Sequence, residues 1–122
     1  MIAEELFKAY PKAAEAITKY YNEIFLNTLN DGELSGEFKE LAKTQMIDNQ
    51  YVQQFIDMNP RGTFDAFDAH NVYIEVTVIV GEPVFFIYHI NGEVNNMPPY
   101  SKRIDAEKAA IERAFEILNE KL

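Results

Sequence analysis

A chain of 122 residues that is 48% hydrophobic and 13% aromatic has material for one packed core and is too apolar for a disordered segment. Its 20 acidic residues outnumber 11 basic ones, and the resulting net charge of −9 repels phosphate backbones, which argues against direct nucleic-acid binding. No apolar run approaches the ~20 residues that span a bilayer, and the absence of cysteine removes disulfides, thiol catalysis and zinc–thiolate sites together.

Residues 2–10 make a short helix carrying Ile2, Leu6, Phe7 and Tyr10. Pro11 suits the first turn of a second helix, where its missing N–H costs nothing. Ala14, Ile17, Tyr21, Ile24, Phe25 and Thr28 then recur at three- and four-residue steps as one apolar stripe, which Asn30-Asp31-Gly32 ends. Tyr20 and Leu26 fall outside that stripe. A weaker helix is expected over Glu33–Met46, with Leu34, Phe38, Leu41 and Ala42 on one face. Asp48 is the candidate N-cap of a helix whose apolar face is Val52, Phe55 and Ile56. Asn59-Pro60 reads as a cap followed by a first-turn proline, and Phe64 and Phe67 share the core face of a short helix ending near His70-Asn71.

Val72–Ile90 is the most β-branched and aromatic stretch, two apolar runs separated by Gly81, Glu82 and Pro83. In Val72–Val80 the even positions are all β-branched, the period-two signature of a strand with one buried face. Val84–Ile90 is apolar on both sides, as expected of a central strand covered, at least in part, on both faces. Asn91-Gly92 is a strong hairpin signal, so a third strand is expected near Glu93–Met97, ended by Pro98-Pro99. Residues 101–122 read as the closing helix, capped by Ser101, with Ile104, Ile111, Ala114, Phe115, Leu118 and Leu122 facing the sheet. Asp105, Lys108, Glu112, Arg113, Glu116 and Glu120 face outward, with Lys108 and Glu112 one turn apart. The fold class is therefore α+β: helices over residues 1–70, a three-stranded antiparallel meander over 72–97, and a C-terminal helix packed on the sheet, all in one domain over 1–122.

Charge is concentrated in the middle. Residues 31–99 hold eleven acids against Lys39, Lys43 and Arg61, a balance of −8, whereas residues 1–30 balance to −1 and residues 100–122 to zero. Such a middle steers a basic protein partner toward the domain, and otherwise serves solubility.

Catalytic signatures are absent. There is no G-x-S-x-G, no phosphate-cradling glycine loop and no H-E-x-x-H; the serines are Ser35 and Ser101 alone. No catalytic residue and no cofactor is expected. Asp65, Asp68 and His70, with Asp57 nearby, are the closest approach to a metal site, oxygen and imidazole ligands suited to a divalent ion. Their D-x-x-D-x-H spacing fits no established loop, and acids at a helix end are ordinary turn formers. His89, within the central strand, is a lone face residue. Arg61, the only base of residues 44–101, either pairs with Asp57 or Asp65 or anchors a protein partner. Tyr10, Tyr20, Tyr73 and Tyr100 are the aromatic residues for which a surface position stays open.

Two resemblances bear on this reading. Ser101-Lys102-Arg103 at the start of a helix after a sheet superficially resembles the last third of a double-stranded RNA-binding domain. Ile104-Asp105 displace that family's alanine, Glu107 replaces its second basic position, and the glycine-rich turn is missing, so RNA binding is not carried over. Asn59-Pro60-Arg61 with Phe64-Asp65-x-Phe67-Asp68, the aromatic hairpin and AEKAAIERAFEIL resembles small uncharacterised phage and prophage proteins across the last half of the chain. That resemblance implies a bacterial or phage-infected cytoplasm and an accessory role, and brings no site residues with it. An N-terminus without a basic segment followed by an apolar one agrees with an unexported, cytoplasmic protein. The expected function is non-enzymatic protein binding. The alternatives are a small-ligand or metal-dependent enzyme built on Asp65, Asp68 and His70, and a homo-oligomeric structural component.

Overall fold

The computed structural model describes residues 2–31, 49–94 and 99–122. The helix expected over Glu33–Met46 and the Asp48 cap lie outside the described residues. Helix α1 spans Ile2–Ala9 and α2 spans Pro11–Asp31, with Pro11 opening α2 as its sequence position requires. Helix α3 (Asn49–Met58) leads into a 3-10 turn, Pro60–Thr63, and the short α4, Phe64–Asp68. Strands β1 (Ile74–Ile79), β2 (Phe85–Ile90) and β3 (Glu93–Val94) form an antiparallel sheet in the order β1-β2-β3, and α5 (Arg103–Lys121) packs on it. The class is α+β.

The turns follow their residues. Asn59 caps the 3-10 turn, its side-chain oxygen accepting from the Gly62 N–H at 3.2 Å, while Pro60 occupies the first helical position. Asn91 and Gly92 have φ of 53° and 84°, the left-handed pair that a tight hairpin needs, and so connect β2 to β3 directly. β3 is described over Glu93–Val94, and the rest of the strand expected to Met97 lies outside the described residues. Tyr100 pairs with β2 on that same edge, as an isolated bridge to Phe86.

Two α-helix N-termini are closed by side chains from distant elements. Asn119 of α5 accepts from the Lys12 and Ala13 N–H groups at 3.0 and 3.2 Å, serving the exposed donors at the start of α2. Asp57 of α3 accepts from the Ala3 N–H at 3.1 Å and does the same for α1. Ser101 does not cap α5 as expected. Lys102 holds the N-cap position in an extended conformation, with no side-chain cap bond.

The core gathers around Phe115. Its ring meets Phe67 edge-on at 5.3 Å and Phe7 at 5.8 Å, joining α5 to α4 and α1. Ile17, Val52, Ile56, Val72, Ile111 and Leu118 fill the surroundings. Four expected core positions are displaced. Ile104 and Leu122, at the ends of the α5 stripe, are 38% and 52% exposed, while Ala106 and Ala110 join Ile111, Ala114, Phe115 and Leu118 in the buried stripe. Phe55 and Ile24 are also exposed, and Phe55 stacks on Tyr21 at 6.0 Å instead of entering the core.

Among the described residues α5 covers one face of the sheet, and Phe85, Ile87 and His89 on the other face of β2 are half-buried. Ile74, Val76, Tyr88 and Ile90 turn toward α5, while Thr77, Ile79, Phe85, Ile87 and His89 share the opposite face. The even face of β1 is not buried throughout: protection fades along the strand, and Val78 and Val80 are 40% and 84% exposed.

Candidate tyrosine–glutamate cleft

The residues that sequence marked for chemistry do not assemble. Asp65 and Asp68 are exposed, whereas His70 lines a cleft of about 530 Å3 with Lys12, Glu15, Lys19 and Glu23. The His70 and Asn71 carbonyls are held by Lys121 Nζ at 3.2 and 3.4 Å, a contact that seats the end of α5 on the turn after α4. Asp57 is committed to the α1 N-terminus. Among the described residues no three His, Asp or Glu side chains lie close enough to hold a metal ion. His89 sits opposite Glu75 and Val94 in the ladder. Arg61 pairs with neither Asp57 nor Asp65 among the described residues; it borders a small groove beside β1 with Phe64, Ile74, Glu75, Val76, Arg103 and Glu107.

A different cluster is better built. α1, β2, Tyr100 and α5 line an open cleft of about 500 Å3 whose wall includes Tyr10, Tyr88, Tyr100, Glu5, Glu112 and Glu116. Each element places its side chains by its own period. Glu5 and Leu6 are adjacent on α1, so burying Leu6 in the core leaves Glu5 at the cleft rim. Ile111 and Phe115 are buried on α5, which turns Glu112, Arg113 and Glu116 to the neighbouring face. Tyr88 lies on the covered face of β2, and its ring sits 6.4 Å from that of Tyr100, tilted by 32°. The Phe86–Tyr100 bridge, two backbone hydrogen bonds of 2.7 and 2.8 Å, fixes Tyr100 there.

The electrostatics of the cleft are unbalanced. Among the described residues Arg113 is the only cation in its wall, and Glu116 holds it at 2.8 Å. Glu5 and Glu112 form no ion pair among the described residues, and Lys108, one turn from Glu112, does not reach it. Partial desolvation, and then the like charge of Glu5, raise the Glu112 pKa above its ordinary value. Burial, followed by Tyr100, raises the Tyr88 pKa. Perturbed titratable groups gathered in one cleft mark a place where a ligand's charge would be felt. Two carboxylates without counter-ions beside electron-rich ring faces favour an ammonium or guanidinium group.

The sequence pattern assigned Glu112, Arg113 and Glu116 to the solvent face of the last helix. Their convergence with Tyr10, Tyr88 and Tyr100 depends on the docking of three elements far apart in the chain. Comparison with known proteins returns no matching family model, no matching curated protein and no matching solved structure. No helix among the described residues is long and apolar enough to cross a membrane.

Proposed function

We propose that this chain is a non-enzymatic protein-binding domain that receives a lysine or arginine side chain of a basic partner in the tyrosine–glutamate cleft. One observation carries the reading: Glu5 and Glu112 line the same cleft as like charges, with no counter-ion to either among the described residues, so they repel each other. An incoming cation relieves that repulsion, and the tyrosine rings supply it with cation–π contacts. The net charge of −9 draws a basic partner toward the domain before contact. In keeping with the resemblance to phage and prophage proteins, the partner belongs to a bacterial or phage-infected cytoplasm.

The reading is tested by NMR titration of Glu112 with an arginine-rich peptide and its citrulline counterpart. The arginine peptide should lower the Glu112 pKa and move the ring resonances of Tyr10, Tyr88 and Tyr100. The citrulline peptide should do neither. An arginine peptide that leaves Glu112 unmoved would exclude the cleft as the binding site.

A further inference from the structure

Among the described residues β1 is an edge strand, and its hydrogen-bonding sense is fixed by two independent observations. The Asn91 N–H donates to the Tyr73 carbonyl at 2.9 Å, so the odd residues of β1 direct their backbone groups toward β2. Phe86, the partner of Val78, instead exchanges both of its backbone bonds with Tyr100, away from β1. The N–H and C=O groups of Ile74, Val76 and Val78 therefore point outward, and among the described residues no backbone hydrogen bond reaches them.

Edge strands of this kind are usually blunted by lysine, proline or a bulge. Here the strand reads Ile-Glu-Val-Thr-Val-Ile, regular through its whole length, and it runs into exposed Val80. Glu75 is its single charge.

We propose that the outer edge of β1 pairs antiparallel with β1 of a second copy of this chain, joining two three-stranded sheets into one six-stranded sheet. The chemistry of the strand is self-complementary. Overlap of residues 74–80 is greatest when Thr77 lies on the two-fold axis. Val76 then exchanges both backbone bonds with Val78 of the other copy, and Ile74 lies opposite Val80. Glu75 faces Ile79 and never a second Glu75, so the one charge of the strand meets no like charge across the axis. Thr77 faces Thr77, a favourable cross-strand pair.

Continuing the register carries the Gly81–Pro83 turn of the second copy past Tyr73 toward the groove where Arg61 lies without an ion pair among the described residues. Glu82, the charge of that turn, is exposed and brings the complementary sign to it. A contact confined to one strand edge and a turn is small beside specific interfaces, which clear about 1,000 Å2, so association depends on concentration. The cleft that receives the basic partner lies elsewhere, between α1, α5 and Tyr100, so the two surfaces can be occupied together.

The chain contains no cysteine, which makes a single introduced thiol a clean reporter. Thr77 opposes itself in a non-hydrogen-bonded pair, where Cα atoms stand about 4.5 Å apart, within disulfide reach. Thr77→Cys should form a covalent dimer under mild oxidation at least about tenfold faster than Ile79→Cys, whose thiol faces Glu75 instead of itself. Light scattering of the wild-type protein over a concentration series should show a monomer–dimer equilibrium. Val78→Pro removes one outward donor without touching the β1–β2 ladder and should weaken that equilibrium by about tenfold or more. Equal cross-linking of the two cysteine variants, or a wild-type protein that stays monomeric at every concentration, would overturn the pairing.

Discussion

Asn119 serves the start of α2 from the far end of the chain, and neither its position nor its neighbours in sequence suggest that role. A side chain that satisfies helix N-terminal donors is worth about 1 kcal/mol, so Asn119→Ala should lower stability by that amount in urea denaturation, while Asn119→Asp should retain it. Glu112 gives a second residue-scale expectation. Its folded-state pKa is raised, so its protonated form favours the fold: the stabilising contribution is present at low pH and is lost as pH rises through the folded value. Glu112→Gln should therefore raise the melting temperature at neutral pH, and the gain should shrink as pH falls through the carboxylate range. An equal gain at all pH values would mean that desolvation and Glu5 are not its cause. At this scale the sequence suffices where a rule is local, as at Asn59-Pro60 and Asn91-Gly92. It misplaced Ser101 as a cap because cap geometry depends on how the chain arrives from the sheet.

Among elements, α5 joins the two halves of the molecule, and Phe115 is the side chain through which it does so. Phe115→Ala removes a fully buried ring against both Phe7 and Phe67 and should cost about 3–5 kcal/mol, enough to leave a marginal domain largely unfolded by circular dichroism. Gly62 controls the smaller junction between α3 and α4. A Cβ there would stand 2.7 Å from the Asn59 side-chain nitrogen, so Gly62→Ala must displace the cap and should destabilise by about 1 kcal/mol. The strand order and the hairpins were legible because period-two alternation and turn residues are written consecutively. The exposure of Ile104 and Leu122 was not, since a helix longer than its partner surface leaves its ends uncovered whatever their hydrophobicity.

For the whole molecule, charge and shape act together. A basic peptide held by the cleft should bind more weakly as salt rises, because both the steering field and the exposed carboxylates are screened. Glu5→Gln combined with Glu112→Gln should reduce affinity at low salt and flatten the salt dependence, as measured by calorimetry across ionic strength. Retention of the full salt slope would assign the binding to the rest of the acidic surface.

The sequence by itself determined the α+β class, the three-stranded meander, the closing helix and the acidic character, since each follows from residue type and spacing within one segment. Only the tertiary structure decided that Glu5, Tyr10, Tyr88, Tyr100 and Glu112 share a cleft, and that Asp65, Asp68 and His70 do not converge among the described residues. Periodicity gives the face of an element on which a side chain stands, whereas convergence depends on the angles and offsets at which elements pack, and close packing of distant side chains sets those.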